Sequence, residues 1–203
     1  MTPDQKIEQA RLIKEGTGYE CTHLPKKGIS IHRGFRPMTP EQKKEQARLL
    51  KEGTGWDCIE FAYNVEGADI AALQARVLEV GSLYDYCQFA SLIEAADIPL
   101  IQDRLQAVGD GNSCYLFGRL VENADIRALQ SHILRAGDAT SCRFFAEDVP
   151  GADIAALQAR VMEIGTEYEC YQFARNVQGA DREALWARIK AIQDTKNSEG
   201  PHP

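Results

Sequence analysis

No stretch of the 203-residue chain approaches the run of about 18 apolar residues that a membrane-spanning helix requires, so no membrane partner is expected. The opening residues Met1-Thr2-Pro3-Asp4-Gln5-Lys6-Ile7-Glu8 are too polar for a secretory signal. A soluble cytoplasmic protein is the expectation. There is no glycine-rich phosphate loop, no His-Glu-x-x-His and no Gly-x-Ser-x-Gly, which removes the common sequence signatures of nucleotide, zinc-protease and serine-hydrolase chemistry. Histidine is scarce: His23 and His32 lie in a basic stretch, His202 in the C-terminal tail, and His132 replaces a repeated arginine. No catalytic pair can be assembled from these, so a non-enzymatic protein without cofactor or metal is expected.

What is present begins with charge. The net charge is −7 and 44% of residues are apolar, enough to build a core. Residues 22–37 hold Lys26, Lys27, Arg33 and Arg36 and no acid, whereas residues 38–203 hold 16 basic and 26 acidic side chains, a net −10. An acidic body is a poor match for phosphate backbones or anionic lipid. Nucleic acid is therefore disfavoured as a partner for the body.

The dominant signal is a 28-residue period. Phe61, Phe89, Phe117, Phe145 and Phe173 keep that step, as do Asp69, Asp97, Asp125, Asp153 and Asp181, and Gly53, Gly81, Gly109, Gly137 and Gly165. Such sustained repetition marks a tandem-repeat architecture. Within one unit, Ile70, Leu73, Val77 and Val80 fall on one helical face. Asp69 stands where a side-chain oxygen caps the first free N–H groups, and Gly81 where a left-handed C-cap favours glycine. This predicts a first helix over 69–80. A second runs over 84–93, with Tyr86, Phe89, Ala90 and Ile93 on one stripe, and Asp85, like Asp57 and Glu169, in its first turn facing the helix dipole. Neither helix is stable alone at that length, so stacking of neighbouring units must supply the burial. The fold class is all-α: a right-handed-type α-solenoid of helix–turn–helix repeats with short turns, five repeats and a C-terminal capping helix over 38–193.

The ends differ from the middle. Around 181–193 the repeat's isoleucine becomes Arg182, its glutamine Trp186 and its glycine Gln193, with Lys190 added, which predicts a polar terminal cap. Residues 194–203 have the composition of a disordered tail. Residues 1–21 and 38–58 are identical at 16 of 21 positions, and Thr39 with Pro40 reads as a helix start. The offset of 37 puts the first copy out of register with the array. Pro25 and Gly28 interrupt what would be its second helix, leaving a duplicated N-terminal helix at 1–21 and a basic linker at 22–37. That helix either docks as an extra cap or packs on another chain, giving self-association through residues 1–37.

Cys58, Cys114, Cys142 and Cys170 share one column, three residues before the phenylalanine, with Cys87 displaced by one. Equivalent positions on stacked helices lie about 9–10 Å apart, beyond the roughly 7 Å limit for a disulfide, and no Cys-x-x-Cys pair suggests zinc. These thiols are expected to be core residues. Gln46, Gln74, Gln102, Gln130 and Gln158 form another column, and Arg48, Arg76, Arg104, Arg160 and Arg188 a third, broken by His132. Their sameness favours inter-repeat bonding over a ligand ladder. Columns that vary are better guides to binding. Two of them, four residues apart on the second helix, hold Ile59, Cys87, Tyr115, Arg143 and Tyr171, and Tyr63, Ser91, Arg119, Glu147 and Arg175. Tyrosine and arginine are frequent interface anchors, which makes Tyr63, Tyr115, Arg119, Arg143, Tyr171 and Arg175 the candidate contact residues.

The array resembles tetratricopeptide, HEAT and ankyrin repeats in architecture, although its unit is shorter and lacks their signature residues. Over 38–193 the unit Phe-Ala-x-x-Val-x-Gly-Ala-Asp-Ile-x-x-Leu-Gln is similar to repeats of uncharacterised bacterial and bacteriophage proteins, a resemblance that implies such an origin and an adaptor role. The expected function is a repeat scaffold that binds another protein on its concave surface. Two alternatives stand beside it. One is an acidic inhibitor, of immunity or phage anti-defence type, that blocks a basic or nucleic-acid-binding surface. The other is a homo-oligomeric structural protein assembled through the duplicated N-terminus.

Overall fold

Each repeat places two short helices, and the computed structural model describes them over residues 37–198. The duplicated helix at 1–21, the basic residues Lys26, Lys27, Arg33 and Arg36, and residues 199–203 lie outside that range. The described residues form eleven α-helices and no strand: α1 (Pro40–Glu52), α2 (Gly55–Asn64), α3 (Ile70–Val80), α4 (Leu83–Leu92), α5 (Ile98–Val108), α6 (Gly111–Leu120), α7 (Ile126–Ala136), α8 (Ala139–Asp148), α9 (Ile154–Ile164), α10 (Glu167–Asn176) and α11 (Arg182–Ser198). Odd-numbered helices are the first of each repeat and even-numbered ones the second. Each even helix packs against the odd helix that follows it, and the even helices also stack on one another, α2 on α4 and so on to α8 on α10. None of the described helices is long and apolar enough to cross a membrane.

The helix starts follow from short polar side chains. Asp69, Asp97, Asp125 and Asp153 each accept the N–H three residues ahead, and Asp181 does the same for Ala184. On the even helices the caps are of two kinds. Thr54 with Asp57 and Ser82 with Asp85 form reciprocal capping boxes, while Asp110 and Asp138 cap directly. Asp57 and Asp85 are thus hydrogen-bonding partners of the N-cap, not only charges in the dipole field.

The repeated glycines do not adopt the left-handed cap expected of them. Gly81 has φ −76° and ψ 160°, and Gly53, Gly109, Gly137 and Gly165 are also extended. The reason for glycine is space: a Cβ there would lie 2.5–2.7 Å from the carbonyl oxygen four residues back. Left-handed backbone occurs in the other turn, at Gly67, Asn123, Gly151 and Gly179. Each stands third in a four-residue turn that follows an even helix, where positive φ is required by the type II form.

The core is a stack of identical layers. Leu73, Ile101, Leu129, Leu157 and Leu185 are fully buried, as are Phe89, Phe117, Phe145 and Phe173. Phe61, in the first repeat, is only half-buried. Val80, expected on the core face, is exposed together with Val108 and Ile164. The final helix also departs from expectation. α11 continues to Ser198, so residues 194–198 are helical and not a disordered tail. Lys196 pairs with Glu167 at 3.5 Å and Gln193 donates to the same carboxylate, which anchors the extra turn to α10.

Candidate binding surface

The glutamine column is consumed by the array itself. Gln46, Gln74, Gln102, Gln130 and Gln158 each present their side-chain oxygen to the backbone N–H of the aspartate cap one repeat on, at 2.8–2.9 Å. Gln74, Gln102 and Gln158 also donate to that residue's carbonyl at 3.2–3.3 Å. One amide thus binds both polar groups of the next cap and sets the register between repeats. Arg76 reaches back in the same way, donating to the carbonyls of Gly53 and Lys51. Arg48 and Arg160 pair with Glu45 and Glu163 on their own helices. Neither column forms a free ladder for an extended ligand.

The structure brings three of the six candidate contact residues together and separates the rest. Tyr115 on α6 is 6% exposed. Its ring stacks on Phe144 of α8, with centroids 5.5 Å apart, and its hydroxyl donates to Asp148 at 2.5 Å. Arg119 donates to the same hydroxyl at 2.9 Å and lies 3.7 Å from the Asp148 carboxylate. Arg143, 9% exposed, lays its guanidinium 4.0 Å from the centroid of Phe144 and pairs with Glu147 at 2.9 Å. These side chains form a polar and aromatic joint between α6 and α8. Burial and the bond to Asp148 push the Tyr115 phenol up to about 12. Tyr63 is half-buried on α2, separated from this cluster by α4.

Tyr171 and Arg175 sit on α10, where the row of even helices ends. The column that is buried at Ile59, Cys87, Tyr115 and Arg143 is open at Tyr171, which is 38% exposed. Tyr171 packs edge-on against Trp186 of α11 at 5.8 Å. Trp186 is 51% exposed and Tyr168, on the first turn of α10, is 63% exposed. The terminal face exposes Arg182, Lys190 and Gln193, the residues read as a polar cap. Beside them stand three accessible aromatic rings and Arg175. Trp186 and Tyr168 are not among the six candidates, although Trp186 stands in the glutamine column and that replacement is a visible signal in the sequence.

The cysteines among the described residues lie inside the array. Cys58, Cys87, Cys114, Cys142 and Cys170 are buried, and none is in a disulfide. Desolvation pushes Cys114 up to about 12 and Cys142 to about 11, and raises Cys58 and Cys170 as well. A protonated, buried thiol is neither nucleophile nor ligand. Among the described residues no three histidine, cysteine or acidic side chains converge on a point where a metal could sit. No family model matches the chain, and neither does any curated protein or solved structure.

Proposed function

We propose that this chain is a non-enzymatic scaffold, a right-handed-type solenoid that mediates protein–protein interaction through the C-terminal end of its even-helix row. The observation that carries the reading is the gathering of Tyr168, Tyr171 and Trp186 at one end, all exposed, beside the exposed Arg175. Within the array, Tyr115 and Arg119 are engaged in the joint between α6 and α8, and Arg143 is tied to Glu147. Aromatic rings and arginine on an accessible face are the side chains most often found as anchors at interfaces. The acidic-inhibitor alternative is weakened by how the acids are used. Asp57, Asp69, Asp85, Asp97, Asp110, Asp125, Asp138, Asp153 and Asp181 all cap helices. Much of the acidity thus has a local structural reason and needs no basic target.

The test is affinity capture from the native host with the intact chain and a Tyr171→Ala/Trp186→Ala variant of unchanged helicity. A partner held by the intact chain and lost by the variant supports the reading. Equal recovery of every partner by both proteins removes it.

A further inference from the structure

The α6–α8 joint supplies a template for what the open end accepts. There, Tyr115 and Arg119 of one even helix receive Phe144 and Asp148 of the next, an aromatic ring for the ring and a carboxylate for the hydroxyl and guanidinium. α10 repeats the first half of that pair as Tyr171 and Arg175, at the same spacing and in the same two columns. No even helix follows α10 among the described residues. At the opposite end, α2 carries Trp56 and Glu60, spaced as Phe144 and Asp148 are. Both are exposed, and no even helix precedes α2 among the described residues.

We propose that these two ends meet in solution: a second copy of this chain stacks its α2 on α10 of the first, with Trp56 against Tyr171 and Glu60 facing Tyr171 and Arg175. This deepens the reading of the C-terminal end as an interaction surface, and rests on it. The odd-helix row agrees. Inside the array each joint is clamped by a glutamine bound to the next aspartate's N–H, but at the ends both halves of the clamp are replaced. Trp186 stands where the clamping glutamine would be, and Glu41, 28 residues before Asp69, lies inside α1, whose cap is Thr39 two residues earlier. The joint between copies is therefore free to shift by four residues, about 6 Å along the axis. That shift places Trp56, not Glu60, in the position of Phe144. The contact is head-to-tail, so it leaves one end open on each copy and extends into chains.

Light scattering and sedimentation of the full purified chain over rising concentration test this. The wild-type mass rises with concentration, whereas Arg175→Glu and Glu60→Arg, both at exposed positions, remain monomeric with unchanged circular dichroism. Mixing the two variants restores association, because Arg175 of one meets Glu60 of the other, and the two ends left over carry the reversed charges, again opposite in sign, so growth continues beyond a dimer. A wild-type chain that is monomeric at every concentration overturns the proposal. Association that survives both charge reversals runs through another surface, such as residues 1–37, and overturns it too. A monomeric chain whose captured partner is still lost on Tyr171→Ala/Trp186→Ala replacement means that a foreign helix occupies the site. In that outcome the proposed function stands and the self-stacking does not.

Discussion

A methyl group on Gly81 would lie 2.5 Å from the carbonyl oxygen of Val77, which already accepts the Gly81 N–H at 2.8 Å. The contact is with backbone and cannot be relieved by turning a side chain. Gly81→Ala should therefore lower unfolding stability by about 1–3 kcal/mol, as overpacking does. Gly151 makes the opposite case: nothing lies within 4 Å of its Cβ position, but its φ is +84°. Gly151→Ala should cost about 1–2 kcal/mol for the left-handed backbone alone. An additional Gly151→Asn variant should recover part of that loss, since Asn123 already holds the equivalent position. Urea denaturation of the three variants separates crowding from backbone strain. Protonation is the other effect at this scale. Tyr115 is raised from 10 to about 12 in the fold, so the unfolded chain ionises first as pH rises. The phenol's contribution is complete below pH 10 and is lost between 10 and 12. The fall in urea midpoint across that window should be shallower in Tyr115→Phe than in the wild type, and parallel profiles would refute this assignment.

At the scale of the element, the joint between repeats rests on one side chain. Gln102 binds both the N–H and the carbonyl of Asp125, at 2.9 and 3.2 Å, in a partly buried site. Gln102→Ala leaves those two groups without their partner, which should destabilise the fold by about 1–3 kcal/mol, measured by urea denaturation. Gln42→Ala, which removes only half of a capping box on the exposed start of α1, should cost about 1 kcal/mol or less. Equal losses would mean that the clamp adds nothing beyond a cap. The periodicity of Leu73 and Val77 and the cap at Asp69 made the helices readable: 69–80 was expected and Ile70–Val80 is found. The meaning of the columns was less readable. A period identifies which residues are equivalent, but not whether a column faces solvent or the next repeat. Tyr115 and Arg143 look like surface residues because they are polar and variable. Tyr115 is buried against Phe144 and Asp148 of the neighbouring helix, and Arg143 is satisfied on its own helix by Phe144 and Glu147. The repeated glycines misled for a related reason, since a glycine can answer either a positive φ or a close approach and the sequence pattern is the same for both.

For the molecule as a whole, contacts run between adjacent repeats, so stability should be close to a sum of repeat terms and nearest-neighbour terms. The joints are also interchangeable in their essential parts. Gln74 meets the cap at Asp97 as Gln102 meets the cap at Asp125, and Leu73, Ile101 and Leu129 fill the same place in successive layers. Removing one complete period, residues 94–121, would bring Asp125 to the place of Asp97 and set α8 against α4. The Tyr115–Asp148 bond is lost with α6, but the clamp and the core columns close again in register. The shortened chain should keep the same circular dichroism per residue and unfold cooperatively at a lower temperature, having lost one repeat and one joint. Removing residues 94–119 deletes nearly as much chain yet leaves two extra residues in the turn between α4 and α7, which disturbs that one joint while the later repeats keep their own 28-residue spacing. That variant should retain most of its helicity but melt below the in-register deletion, because the clamp from Gln74 to Asp125 must form across a longer turn. Equal melting of the two deletions would show that the 28-residue register is not what closes the joint.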